Sequence, residues 1–175
     1  MEMRAKGTLS RQAAAAIAVL VLAAKHATAD DRPTPPPLRA ERRVVVSIPD
    51  CKLALIENNR VVRVYAVAVG ADVSPSPVGT FKIANRLTNP TYYRRGKVIP
   101  AGVSNPLGTR WMGLDVKGFG IHGTDEPASI GHRRSHGCIR MLNRDVEELF
   151  ELLRPGDVVE LHGERTSELD ALFVG

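Results

Sequence analysis

The sequence predicts a mainly β domain with one helix packed on a sheet. Val44-Val45-Val46-Ser47-Ile48 and Lys52-Leu53-Ala54-Leu55-Ile56-Glu57 are short runs dominated by β-branched and aliphatic residues, each bounded by turn residues. One stretch alone, near Asn143 to Leu153, repeats its apolar positions at helical spacing. Aromatic residues make up 5% of the chain, with a single Trp, so the core must be built mainly from Val, Leu, Ile and Ala. A length of 175 residues accommodates one domain of ordinary size. A hydrophobic fraction of 43% beside a charged fraction of 25% excludes a disordered polymer, a collagen-like fibre and a multi-span membrane protein.

The chain opens with an address. Arg4, Lys6 and Arg11 precede twelve small or apolar residues, Ala13 to Ala24, and Ala27-Thr28-Ala29 follows. This is the layout of a secretory signal peptide over residues 1–29, with cleavage expected after Ala29. Twelve residues rise about 18 Å as a helix, short of the roughly 30 Å hydrocarbon core, so no stable membrane span is expected after cleavage. No Cys follows the apolar run, which argues against a lipid anchor there. The formal net charge of +5 first suggests a nucleic-acid partner. Residues 1–29 hold four of the cations (Arg4, Lys6, Arg11, Lys25) and one anion (Glu2), however, which leaves 20 positive and 18 negative side chains beyond them. With most of the basicity in the export signal, no nucleic-acid partner is expected.

Residues 30–42 carry Pro33, Pro35, Pro36 and Pro37 without apolar periodicity and read as an extended spacer. The domain starts at Arg43. After its two opening strands, Asn58-Asn59 supplies a turn tolerant of positive φ, and Val61 to Val69 forms a long returning strand. Gly70, Pro75, Pro77 and Gly79 punctuate a loop before the strand Thr80 to Ala84. From Thr88 to Thr109 the composition predicts a long surface loop with short strands at most, holding Tyr92-Tyr93-Arg94-Arg95 and Lys97, the densest basic and aromatic cluster of the chain. It reads equally as a solvated loop tip or a ligand contact. In the helix, Asn143 is the expected N-cap, Asp145 and Glu147 suit the positive end of the dipole, and Val146, Leu149, Phe150 and Leu153 share a face. Pro155-Gly156 ends it, Asp157 to Leu161 is the last strand, and residues 163–175 are a tail.

The chemistry concentrates between Gly118 and Arg140. Three of the four histidines beyond the signal (His122, His132, His136) fall here, with Cys138, one of only two cysteines. A thiol reacts as its thiolate, and a neighbouring imidazole can take its proton. Gly137 before Cys138 permits a backbone that presents the sulfur, and backbone N–H groups beside it could meet a developing oxyanion. Two plainer readings compete. A free Cys is more often a small buried hydrophobe, and His122, His132, His136 and Cys138 could hold a metal, although their spacings do not match two paired zinc-ligand sets. Composition alone favours the nucleophile only slightly. Neither a metal nor another cofactor is expected. Two cysteines cannot build a disulfide framework, and Cys51 is expected to be a bystander or a redox liability.

Ile121-His122-Gly123-Thr124, Ile130-Gly131 and Ser135-His136-Gly137-Cys138-Ile139-Arg140 together resemble the signature of the YkuD-type L,D-transpeptidases. Lys52-Leu53, Ser76-Pro77-Val78-Gly79-Thr80-Phe81 and Asn105-Pro106-Leu107-Gly108 extend the likeness over residues 43–162. The resemblance implies a compact β-sandwich or barrel-like catalytic domain with one packed helix, acting in the periplasm or cell wall on peptidoglycan stem peptides as donor and acceptor. It implies that Cys138 attacks the carbonyl at the L-centre of the third stem residue, expels D-alanine, and passes the acyl group to a stem amine as a 3→3 crosslink. His122 would be the general base, its ring fixed by the Gly123 carbonyl. His136 would contact substrate or support the oxyanion, and Gly137 and Cys138 would supply backbone donors. Arg140 and Ser135 stand at substrate-binding positions, Arg140 reading equally as a structural ion pair and Ser135 as a structural hydrogen-bonder. The same acyl-enzyme could instead pass to water, giving a carboxypeptidase or endopeptidase, or to a protein amine. A non-catalytic wall-binding module is the more distant alternative.

Overall fold

The computed structural model describes residues 40–94 and 96–173. The expected export signal and residues 30–39 of the spacer lie outside them. The strands are β1 (Arg42–Ser47), β2 (Lys52–Glu57), β3 (Arg60–Ala66), β4 (Val69–Gly70), β5 (Gly79–Thr88), β6 (Tyr92–Arg94), β7 (Lys97–Ile99), β8 (Arg110–Leu114), β9 (Gly120–His122), β10 (Arg133–Ser135), β11 (Ile139–Arg140) and β12 (Val158–His162). The helices are α1 (Asn143–Leu152) and α2 (Ser167–Phe173), with a 3-10 turn at Pro127–Ser129.

Eight strands form one sheet in the order β11-β9-β8-β5-β12-β1-β2-β3. Its corner is β5. The first half of that strand pairs antiparallel with β12 (Lys82 opposite Val158), and the second half pairs with β8 (Thr88 opposite Arg110). A register shift between Ile83 and Asn85 turns the strand from one partner to the other, as bulges do at sheet corners. The two ends of the sheet then meet. Ala68, beyond β3, exchanges both backbone hydrogen bonds with Arg140 of β11 at 2.9 Å. Val69 and Ala71 donate to the carbonyls of His132 and Ser135 at 3.2 and 3.0 Å, lacing β4 beside β10. The domain is therefore mainly β and barrel-like, as expected.

The interior is aliphatic. Val44, Val46, Leu53, Leu55, Ile83, Met112, Ile121, Ile139 and Leu161 all lie at 2% exposure or below, and α1 closes one end with Val146, Leu149 and Phe150. Leu153, just past the helix, is also buried. Three features differ from the sequence reading. The helix is capped by Leu142 without a side-chain hydrogen bond, and Asn143 is its first residue, with a different task described below. A second helix, α2, occupies the segment expected to be a tail. It places Leu169 on Val45 and Ile56, flanked by Leu172 and Phe173. Val45 and Ile56 point away from the main interior, so α2 covers the outer face of β1 and β2. The long returning strand is also shorter than its apolar run, because β3 stops at Ala66 and the chain re-pairs as β4. The 88–109 region carries a small hairpin, β6 with β7, registered Tyr92 opposite Ile99 and Arg94 opposite Lys97.

Candidate active site

His122 and Cys138 come from neighbouring strands. β9 ends on His122, and β11 begins one residue after Cys138, the two running parallel with Ile121 opposite Ile139. Parallel neighbours bring both side chains to the same end of the sheet, although 16 positions separate them in sequence. Both line one cleft of about 490 Å³. Its lining includes Tyr92, Tyr93 and Arg94 of the β6–β7 hairpin, Pro106 and Leu107, and Ser135, His136 and Cys138.

The His122 ring is held on several sides. Its Nδ1 lies 2.6 Å from the Gly123 carbonyl, which fixes Nδ1 as the protonated nitrogen and leaves Nε2 as a lone-pair acceptor. The indole of Trp111, directly across the β8–β9 ladder, stacks on the imidazole at 5.6 Å between centroids and 24° between planes. Trp111 is itself fixed, its Nε1 donating to Asn85 Oδ1 at 3.1 Å. Gly120 makes room for the indole, since a Cβ there would stand 2.7 Å from it. The imidazole is 4% exposed, and burial lowers its pKa from 6.5 to about 4, against the upward pull of the Gly123 carbonyl; the nearby Arg140 charge adds to the lowering.

The Gly123 carbonyl is held in turn by a residue that sequence reasoning assigned elsewhere. Asn143 Oδ1 accepts the backbone N–H groups of Thr109 and Thr124 at 3.3 and 3.1 Å, and its Nδ2 donates to the Thr124 carbonyl at 3.1 Å. The amide passes so close to Gly108 and Gly123 that a Cβ on either would lie 2.1 Å from Oδ1. Asn143 therefore ties the turn after His122 to the loop before β8 instead of capping α1. The Gly123 glycine is the signal that could have revealed this, because a residue following a candidate base has no other evident reason to lack a side chain.

Cys138 is half-buried. Its thiol faces the Gly118 carbonyl at 3.6 Å, and burial pushes its pKa up, partly offset by the Gly120 N–H and by the guanidiniums of Arg140 and Arg94. The two groups are thus biased toward a neutral thiol and a neutral imidazole in the same cleft. Gly137 has φ +107°, and a Cβ there would meet Phe119 at 2.5 Å and the Pro75 carbonyl at 3.1 Å, so only glycine fits. Its N–H is already given to Ser135 Oγ at 3.0 Å. That corrects the expectation of Gly137 as a free oxyanion donor and leaves the Cys138 N–H. Ser135, 2% exposed, spends its hydroxyl proton on the Cys138 carbonyl at 2.5 Å, so it braces the turn that presents the thiol. His136 is exposed on the cleft wall. Arg140 is paired with Glu126 at 2.8 Å and is only 13% exposed, which favours its ion-pair reading.

Cys51 sits apart, 6% exposed within the main core with Sγ 3.8 Å from the Ile48 carbonyl, and both cysteines are free thiols. Among the described residues, no three His, Cys, Asp or Glu side chains gather as a metal set. No helix among them is long and apolar enough to cross a membrane.

Comparison with known proteins identifies the family and the fold. A family model for the L,D-transpeptidase (YkuD) catalytic domain matches residues 41–161. YqjB of Bacillus subtilis, named for an inferred L,D-transpeptidase activity, is 40% identical over 125 residues, 69% of this chain and 70% of its own length. YkuD of the same organism, named likewise, is 39% identical over 128 residues, covering 73% and 70%. The solved structure of an L,D-transpeptidase from Mycobacterium smegmatis shares the fold with a TM-score of 0.61 at 21% identity, over 71% of this chain and 59% of that one.

Proposed function

Because this chain belongs to the L,D-transpeptidase catalytic-domain family, we propose that it is an exported cysteine transpeptidase forming 3→3 crosslinks in peptidoglycan. The observation that carries the reading is the thiol of Cys138 in one cleft with an imidazole whose Nδ1 is committed to the Gly123 carbonyl. Residues 1–29 direct export and are cleaved after Ala29, residues 30–42 lead into the catalytic domain (43–162), and residues 163–175 follow it.

The reaction follows from the neutral pair. As Sγ of Cys138 bonds to the carbonyl carbon at the L-centre of the third stem residue, its proton moves to Nε2 of His122. The Cys138 N–H meets the oxyanion, while the Gly123 carbonyl steadies the imidazolium as a carboxylate does in other triads, without adding a negative charge. Collapse breaks the C–N bond, His122 returns the proton to the departing amine, and D-alanine leaves. A stem amine then attacks the thioester, gives its proton to Nε2, and restores the thiol. His136, exposed on the cleft wall, contacts substrate.

Intact-protein mass spectrometry with a carbapenem, which resembles an acyl donor, tests the nucleophile. Wild type gains one adduct mass and Cys138→Ala gains none; a labelled Cys138→Ala protein refutes the assignment. Tetrapeptide-rich muropeptides then separate the acceptors, a crosslinked dimer supporting transfer and tripeptide alone showing hydrolysis.

A further inference from the structure

The mechanism leaves unused the part of the cleft lining that the β6–β7 hairpin supplies. There β6 and β7 set Arg94 directly across from Lys97, two like charges in facing positions. Such a pair costs stability unless an acid or a ligand compensates. Arg94 is exposed, lines the cleft, and has no hydrogen-bond or ion-pair partner among the described residues. None of the residues lining the cleft is acidic. Arg140, the other guanidinium there, is already neutralised by Glu126. The hairpin is also built to hold its place. Asn105, 1% exposed, reaches the carbonyls of Pro90, Ile99 and Pro100 at 2.8, 3.2 and 3.0 Å, clamping both ends of the hairpin, and its Oδ1 accepts the Leu107 N–H at 2.8 Å.

We propose that this hairpin is a carboxylate-recognition wall, in which Arg94 pairs with a carboxylate of the donor stem while Cys138 attacks it. The inference rests on the transpeptidase reading and deepens it by giving the donor a required charge. A planar guanidinium bonds a carboxylate through two parallel N–H groups; a neutral carboxamide keeps only one acceptor, turns a donor toward the second N–H, and carries no charge to assist the bond that remains. The cleft therefore selects donors by amidation state. Two carboxylates qualify, the terminal one of the leaving residue and the one borne on the third residue's side chain.

The test measures KM and kcat for release of the terminal residue by the full chain. Three tetrapeptide donors are compared: one with all carboxylates free, one ending in D-alaninamide, and one amidated on the third side chain. Arg94→Gln raises KM about tenfold on the free-acid donor, with kcat within twofold. Wild type shows the same rise on one of the two amidated donors, and Arg94→Gln adds no further loss on it. That donor identifies the carboxylate. Arg94→Gln acting equally on all three donors, or leaving KM unchanged, overturns the proposal. Wild type treating the three donors alike overturns it without recourse to any variant. Turnover of none of them by wild type refutes the transpeptidase reading and the proposal with it.

Discussion

Replacing Asn143 by Ala separates the role found for it from that of a helix cap. The substitution removes one acceptor shared by the N–H groups of Thr109 and Thr124 and one donor to the Thr124 carbonyl. Thr124 is 4% exposed, so water does not readily replace those bonds. At about 1 kcal/mol for each bond lost, and more for a buried group left unpaired, the expected loss is about 2–4 kcal/mol. Losing a cap typically costs ~1 kcal/mol. The second consequence is chemical, because the Gly123 carbonyl that orients His122 loses its anchor. Urea unfolding, followed through the fluorescence of Trp111, the single Trp of the chain, gives the first number. The rate of carbapenem acylation gives the second, expected to fall at least tenfold under conditions where the variant stays folded. Asn143→Asp keeps the acceptor and loses the donor, so it should fall between the two proteins. A loss below about 1 kcal/mol with unaltered acylation would falsify the positioning argument.

The remaining predictions concern the base and the turn beside the nucleophile. His122 has a folded pKa of about 4 against an ordinary 6.5, so the unfolded chain takes up a proton that the folded one refuses. Its contribution to stability is complete above pH 6.5 and is lost as the pH falls toward 4. Between pH 7 and pH 5 the loss is about 2 kcal/mol, and His122→Gln should flatten that part of the profile; a parallel decline in wild type and variant would contradict the assignment. Gly137→Ala forces a side chain into φ +107° and into Phe119. It should lower stability by about 1–3 kcal/mol and slow acylation of Cys138, and a variant acylated at the wild-type rate would show that the turn tolerates a Cβ.

Much of the fold was legible because it is written in local patterns. The opening strands, the turn at Asn58-Asn59 and the apolar face of α1 are all read from neighbours in sequence. The second helix left a subtler trace. Val44-Val45-Val46 and Leu53-Ala54-Leu55-Ile56 do not alternate, and an apolar run without alternation means a strand covered on both faces. Only one cover was foreseen, and α2 is the other. The site divided in the same way. His122, Gly123, Ser135, Gly137 and Cys138 stand in short, recognisable blocks. Trp111, Asn85 and Asn143 carry no such mark, because each acts through a partner at least 15 positions away or on another strand.

The sequence by itself determined an aliphatic β domain, a thiol and an imidazole in one segment, and an acid-free stretch of Tyr and Arg with no stated purpose. Tertiary structure decided which atoms are available. It spent the Gly137 N–H on Ser135 and Arg140 on Glu126, moved Asn143 from a helix end to the turn behind the base, and left Arg94 in the cleft of the thiol with no partner among the described residues. The reason is geometric. A residue's type states what bonds it can make, but which of them remain open for a substrate depends on strands that meet only when the sheet curls and closes.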